Sequence, residues 1–140
     1  MAIYLLDTTP FSALVKEHPR AKTRLSNLGA THRVVICTVV RGEVLYGLEL
    51  MPRGRRKLEL ERKIEDLLSI LPCLPIPEEA ADYYARIKRG TERKGSRLDE
   101  NDLWIAATSF SLEAILVTTD SDFQRVGELK IEDWVQESHS

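Results

Sequence analysis

Ile3-Tyr4-Leu5-Leu6-Asp7 is the stretch that decides the fold of this 140-residue chain. Four consecutive apolar residues end abruptly at a carboxylate, which is typical of a parallel strand buried on both faces. Val34-Val35-Ile36-Cys37-Thr38 and Ala114-Ile115-Leu116-Val117-Thr118 have the same β-branched, apolar character. Short strands are also expected within 70–76, despite two prolines there, and near 130–131. This pattern predicts a mainly parallel central sheet.

The segments between these strands have helical periodicity. The predicted helices cover roughly 11–17, 20–28, 39–50, 55–69, 78–94 and 99–112, with a short one from 122. Strands that alternate with helices imply right-handed crossovers and a three-layer α/β/α domain. With no linker, repeat or low-complexity tract in the sequence, we predict one domain over 1–140.

Composition excludes several classes of protein. The net charge of −2 argues against a chain coated with positive charge for nucleic-acid binding, although a local basic patch remains compatible with it. No apolar run approaches the roughly 20 residues that span a bilayer, and no basic segment precedes the apolar start, so a cytoplasmic protein is expected. Cys37 and Cys73 lie in apolar settings and are predicted to be free thiols. The three histidines lack the spacing of a zinc site.

Two acids directly follow predicted strands. Asp7 comes after the first strand and Asp120 after the strand that ends at Thr118. The functional crevice of an open α/β sheet lies beyond the carboxyl ends of its strands, so both acids are candidates for it. The alternative is that each caps a helix or turn, although Thr8 and Thr9 can cap the first helix equally well.

Glu43 is the acid that is hardest to explain structurally. Its helical neighbours three and four positions away are Val39, Val40, Tyr46 and Gly47, none of which is basic. A carboxylate on an apolar flank normally requires a metal ion or a paired charge. The alternative is a helix turned so that Glu43 reaches water at the rim of the core.

Asp102 lies in the first turn of a predicted helix that opens with Asp99 and Glu100. Acids at this position stabilise a helix start by themselves, which is the alternative to a functional role. The small pair Ala106-Ala107 lets this helix approach a neighbour closely. Such an approach draws Asp102 toward the sheet, whereas Asp99 and Glu100 are expected to face solvent.

Four carboxylates that converge in one crevice require a cation, because like charges repel and shift pKa values upward. Oxygen ligands select hard ions such as Mg²⁺ or Mn²⁺. Such a site can activate a water for in-line displacement at phosphorus. The hydroxyls of Thr118 and of Thr8 or Thr9 are candidates to orient a water or a phosphate oxygen.

Basic residues precede the Asp99–Asp102 turn. They indicate either a solvated face, which is the commoner case, or a track for the nucleic-acid backbone. The residues of this cluster are Arg86, Lys88, Arg89, Arg93, Lys94 and Arg97, and a second cluster comprises Arg53, Arg55, Arg56 and Lys57.

The chain resembles the PIN-domain ribonucleases, and among them the VapC-type toxins of prokaryotic toxin–antitoxin pairs. The resemblance runs nearly end to end, and the order and separation of its four motifs make it specific. These are Leu5-Leu6-Asp7-Thr8-Thr9, Arg41-Gly42-Glu43-Val44-Leu45-Tyr46-Gly47, Asn101-Asp102-Leu103-Trp104-Ile105-Ala106-Ala107, and Val117-Thr118-Thr119-Asp120-Ser121-Asp122-Phe123, followed by Trp134.

The resemblance implies that Asp7, Glu43, Asp102 and Asp120 bind Mg²⁺ or Mn²⁺ and cleave RNA. It also implies a homodimer and a cognate VapB-like antitoxin, which blocks the acids with a segment that often carries an arginine. Operator DNA is bound only through the antitoxin. Thr9 departs from the family pattern, which usually has Asn there.

The fourth acidic position has two candidates, Asp120 and Asp122, of which Asp120 is chosen because it lies nearer the strand end. Asp99 is a further acid that could join the edge of the site. Two other enzyme hypotheses are a stand-alone PIN nuclease in RNA processing and a phosphohydrolase that uses Asp7 as its nucleophile. Such phosphohydrolases usually have a second acid two residues on, where this chain has Thr9. A binding module that has lost its chemistry is the non-enzymatic alternative.

Overall fold

The computed structural model describes residues 1–136, in which one five-stranded sheet is flanked by six α-helices. The strands are β1 (Ile3–Leu6), β2 (Arg33–Cys37), β3 (Cys73–Leu74), β4 (Ile115–Val117) and β5 (Ile131–Glu132). The helices are α1 (Thr8–Val15), α2 (Pro19–Asn27), α3 (Thr38–Glu49), α4 (Arg55–Ile70), α5 (Ala80–Arg93) and α6 (Glu100–Ser111). A 3₁₀ helix (Ser121–Arg125) follows β4.

The sheet has the order β3-β2-β1-β4-β5, and every neighbouring pair of strands is parallel. At its centre Leu5 is in register with Val35 on one side and Leu116 on the other, and all three side chains are fully buried. The chain moves from β1 to β2 on one side and returns to β4 on the other. The gap between the ends of β1 and β4 is therefore the switch point at which α/β sheets place their ligands. The predicted three-layer, mainly parallel fold is confirmed.

Helix α1 begins earlier than the predicted 11–17. Asp7 takes the position before the helix, and Pro10 fits the first turn, where the missing N–H has no helical partner to lose. The helix ends before Glu17, whose φ of 57° is left-handed. The earlier start places Thr8, rather than a later residue, next to the functional crevice.

Strand β3 is much shorter than the predicted run over 70–76. Pro72 and Pro75 flank the two paired residues, and a proline has no N–H to donate to a sheet ladder. The predicted short helix from 122 is the 3₁₀ helix, and the predicted edge strand near 130–131 is β5.

Arg24 of α2 binds the segment that contains Glu132 and Trp134, near the end of the described residues. Its Nη2 and Nε lie 2.6 and 2.9 Å from Oε1 of Glu132, which also accepts a hydrogen bond from Trp134 Nε1 at 2.8 Å. The Arg24 guanidinium carbon lies 5.6 and 5.7 Å from the ring centroids of Tyr4 and Trp134. This arrangement joins β1, β5 and α2.

Both cysteines are free, as predicted; Cys37 is buried and Cys73 is half-buried. No helix in the described part of the chain is long and apolar enough to cross a membrane.

Candidate active site

Asp7 directly follows β1 and is only 7% exposed. Its N–H donates to the Val117 carbonyl at 2.9 Å, and its Oδ2 accepts a hydrogen bond from Thr118 Oγ1 at 2.8 Å. Asp7 occupies the N-cap position of α1, as the capping alternative proposes, but its side chain makes no capping hydrogen bond. Burial raises the pKa of Asp7, and the charges of Glu43 and Asp120 add to this, whereas the hydrogen bond from Thr118 opposes it.

Thr118 connects the two acids that follow the central strands. It is 2% exposed, and its hydroxyl donates to Asp7 and accepts from the Asp120 N–H at 3.0 Å. The sequence makes this hydroxyl one of several candidates to orient a water or a phosphate oxygen. The burial corrects that assignment, because the hydroxyl is committed to the acids and therefore positions them.

Glu43 lies at the rim of the core, where both of its carboxylate oxygens have neutral partners. Thr8 Oγ1 donates to Oε1 at 2.6 Å, and Asn101 Nδ2 donates to Oε2 at 3.4 Å. The side chain is half-buried, between fully buried Val40 and Tyr46, which is 65% exposed. The alternative interpretation, in which Glu43 reaches water at the rim of the core, is therefore right about the location of this side chain. Asn101 was not singled out from the sequence, although it directly precedes Asp102.

Asp102 is the acid with the most strongly perturbed environment. Burial, followed by the charges of Asp7, Asp120, Asp99 and Glu43, raises its pKa to about 7. The side chain is half-buried in the first turn of α6. The structure thus brings Asp7, Glu43 and Asp120 close enough to Asp102 for their charges to raise its pKa. Asp99 lies at the edge of this group of acids.

Asp120 and Asp122 have different surroundings. One oxygen of Asp120 accepts a hydrogen bond from the Asp122 N–H at 2.9 Å and so caps the 3₁₀ helix. The capping alternative is correct for that oxygen, while the other makes no hydrogen bond within residues 1–136. The Asp122 carboxylate forms an ion pair with Arg125 at 3.1 Å. Asp120 is therefore the better placed of the two to act with Asp7.

The donor set fits a hard divalent cation. All four acids offer oxygen ligands, and the pKa of Asp102 is raised by burial and then by the negative charges of its neighbours, which a bound cation would offset. Within 1–136 no three histidine, cysteine or acidic side chains are close enough to hold one ion together. A Mg²⁺ ion usually keeps several waters and needs only one or two carboxylates from the protein, so fewer than three of these acids suffice to hold one ion.

The basic residues that were predicted to bind the nucleic-acid backbone have different surroundings. Arg89 and Arg97 both form ion pairs with Glu92, at 3.8 and 3.3 Å, so part of their charge is neutralised. Arg93 is exposed and has no ion pair in the described region. Arg86 and Lys94 instead line a pocket that they share with Arg125. The predicted basic residues therefore differ in how far neighbouring acids compensate their charge.

Comparison with known proteins identifies the family. The profile of the PIN-domain family matches residues 4–129. Ribonuclease VapC1 of Haemophilus influenzae is 31% identical over 137 residues, which cover 96% of this chain and 99% of the relative. The tRNA(fMet)-specific endonuclease VapC of Salmonella typhimurium is 29% identical over 135 residues, with coverages of 96% and 99%.

Comparison with solved structures also points to this family. VapBC2 from Rickettsia felis, in complex with a DNA fragment from its promoter, matches with a TM-score of 0.85 and 28% identity. The match covers 94% of this chain and 98% of that one. The chain therefore belongs to the PIN-domain family and, within it, to the VapC ribonucleases.

Proposed function

We propose that this protein is a toxic endoribonuclease that uses Mg²⁺ or Mn²⁺ to cleave RNA phosphodiesters. The observation that carries the proposal is the convergence of Asp7, Glu43, Asp102 and Asp120 at the switch point of the sheet, where burial and the charges of the neighbouring acids raise the pKa of Asp102 to about 7. The ribonuclease activity named for the relatives supports the same reaction. We also propose that 1–140 form a single domain that acts in the cytoplasm.

The four acids are assigned to hold the cation, and neighbouring polar groups are assigned to position the acids. When bound, a divalent ion supplies an activated water and stabilises the charge that develops at phosphorus during in-line displacement. Thr118 fixes Asp7 relative to Asp120, and Thr8 with Asn101 fixes Glu43. Since the pKa of Asp102 lies near neutrality, protons and the cation compete for its carboxylate.

The partner that we propose is a VapB-like antitoxin encoded beside this gene. The related VapBC complexes support this partner, and one of them is bound to a promoter fragment. An antitoxin arginine laid across the acids would neutralise the field recorded at Asp102. Binding of operator DNA is assigned to the antitoxin, and the active toxin is assigned to a homodimer. Co-expression of the neighbouring small gene is expected to restore growth that the toxin alone arrests.

RNA cleavage by the purified protein tests this function. The expected result is cleavage of single-stranded RNA in Mg²⁺ or Mn²⁺ and none in excess EDTA. Equal cleavage in EDTA would contradict a metal-dependent mechanism. Growth arrest without an adjacent antitoxin gene would instead favour a stand-alone PIN nuclease.

The phosphohydrolase alternative is not favoured by the geometry. A nucleophilic carboxylate must reach an incoming phosphoryl group, whereas Asp7 is 7% exposed and its Oδ2 is hydrogen-bonded to Thr118. Detection of a phosphorylated Asp7 by mass spectrometry after incubation with a phosphomonoester would revive that alternative.

A further inference from the structure

A pocket of about 440 Å³ lies between α5, the end of α6 and the segment that follows the 3₁₀ helix. Its lining includes the three cations Arg86, Lys94 and Arg125, and one acid, Glu128. Neither Arg86 nor Lys94 takes part in an ion pair in the described chain, whereas Arg125 is paired with Asp122. The pocket therefore presents uncompensated positive charge in a protein whose net charge is −2.

Aromatic rings accompany these cations. Tyr83 and Phe110 are stacked, with centroids 5.5 Å apart and an interplanar angle of 11°. The Arg86 guanidinium carbon lies 4.9 Å from the Tyr83 centroid. The Tyr83 ring therefore holds the Arg86 guanidinium at the pocket by a cation–π contact, and a positively charged groove of this kind can follow the backbone of a single-stranded nucleic acid.

The pocket is connected to the acid cluster through the 3₁₀ helix. Asp120 caps the start of this helix and Arg125 ends it, a separation of about 10 Å at the 3₁₀ rise of roughly 2 Å per residue. Arg125 is held in place because its Nη1 donates to the Arg97 carbonyl at 2.8 Å. A polynucleotide that leaves the acids along this helix reaches the pocket within a few nucleotides.

We propose that this pocket binds the backbone of the single-stranded RNA segment that flanks the cleaved bond. Arg86 and Lys94 are assigned to phosphate contacts, and Tyr83, which is stacked on Phe110, is assigned to position Arg86. The inference rests on the proposed ribonuclease function and, of the six basic residues that precede the Asp99–Asp102 turn, assigns only Arg86 and Lys94 to contacts with RNA. Arg89 and Arg97, which share Glu92, are assigned no contact with RNA.

The test is the salt dependence of RNA binding. Anisotropy of a labelled single-stranded RNA of about 12 nucleotides would be measured in EDTA over a series of KCl concentrations. The variant Arg86→Gln/Lys94→Gln keeps the aliphatic stems and removes two charges. The control Arg89→Gln/Arg97→Gln removes the same charge from the same region.

Each phosphate contact on a single strand contributes about 0.7 to the slope of log K against log salt. The pocket variant is expected to lose about 1.4 from this slope and to bind at least roughly 10-fold more weakly at low salt. The control is expected to change the slope by less than about 0.3. Equal losses in both variants, no loss in the pocket variant, or no binding by the unmodified protein would overturn the proposal.

Cleavage of the same RNA in Mg²⁺ separates this inference from the proposed function. Cleavage by the unmodified protein, together with unaltered binding by the pocket variant, contradicts the pocket and leaves the function standing. The predicted slope change without any cleavage supports the pocket as an RNA site and contradicts the ribonuclease function. An intact melting temperature for both variants excludes misfolding as the cause.

Discussion

Thr118 donates a hydrogen bond to Oδ2 of Asp7 at 2.8 Å, and the same hydroxyl accepts one from the N–H of Asp120 at 3.0 Å. One buried side chain therefore sets the positions of two acids that come from opposite ends of the sequence. Since the hydroxyl sits at the end of β4, beside the end of β1, the rigid sheet fixes this relationship.

Thr118→Val should remove this link without changing the shape of the side chain. We expect a loss of stability of about 1–3 kcal/mol, because the buried Asp7 carboxylate loses a donor. RNA cleavage should fall roughly 10- to 100-fold, as when a group that orients metal ligands is removed. Urea unfolding and initial cleavage rates check the two effects.

Two variants control for this substitution. Thr118→Ser retains the hydroxyl and should keep most of the activity. Thr108→Val removes another buried hydroxyl, whose partner is the Trp104 carbonyl, and should leave cleavage intact. Equal losses of activity in the two valine variants would contradict a specific role for Thr118.

Thr8→Val is expected to release one carboxylate oxygen of Glu43 and to weaken Mn²⁺ binding by roughly 10-fold or more. Its neighbour Thr9 is the matched control, because it is exposed and its side chain makes no hydrogen bond in the described chain. Thr9→Val should therefore bind Mn²⁺ like the unmodified protein. Calorimetric titration measures both, and equal weakening by the two substitutions would refute the role of Thr8.

Asp7 and Asp120 could be located from sequence because they follow apolar runs typical of buried parallel strands, and parallel strands bring their carboxyl ends to one edge. Glu43 could be identified because its helical neighbours offer no charge partner. These arguments need only local pattern and the rule for the switch point. The choice of Asp102 depended most on the family resemblance.

The surroundings of the acids could not be predicted in the same way. The pairing of Asn101 with Glu43 joins residues 58 positions apart and depends on how α3 and α6 pack. The division of the basic residues depends on Glu92, which lies three positions from Arg89 and also reaches Arg97 across the turn before α6. Such contacts follow from tertiary packing, which periodicity does not specify.

The stability of the metal-free protein should fall as pH rises from about 4 to about 7. The pKa of Asp102 is about 7 in the folded state, against an ordinary value of 3.8 for the free side chain, so in this range the folded state binds more protons than the unfolded state. The raised pKa of Asp7 acts in the same direction.

Asp102→Asn should remove most of this pH dependence. In EDTA at pH 7.5 the variant is expected to melt at least about 3 °C above the unmodified protein, and at pH 4 the difference should vanish. Added Mg²⁺ should raise the melting temperature of the unmodified protein more than that of the variant. If the melting temperatures of the variant and the unmodified protein differ by the same amount at every pH, the electrostatic account of Asp102 is contradicted.

Arg24→Ala should destabilise the fold by about 1–3 kcal/mol, because it removes a charge-assisted hydrogen bond to Glu132 and the contacts with Tyr4 and Trp134. Lys22→Ala on the same helix is the control, since its ion pair with Glu17 is solvent-exposed and contributes little. Urea unfolding compares the two variants. Similar losses in both would show that Arg24 does not stabilise the packing of Glu132 and Trp134 against α2.

The rate of RNA cleavage by Asp102→Asn in Mg²⁺ tests the central claim most directly. Asp122→Asn is the matched control, because its carboxylate is paired with Arg125 and is assigned no role in metal binding. We predict that Asp102→Asn folds normally and cleaves single-stranded RNA at least about 100-fold more slowly, whereas Asp122→Asn keeps most of its rate. Undiminished cleavage by Asp102→Asn would contradict the assignment of the acid cluster as the active site.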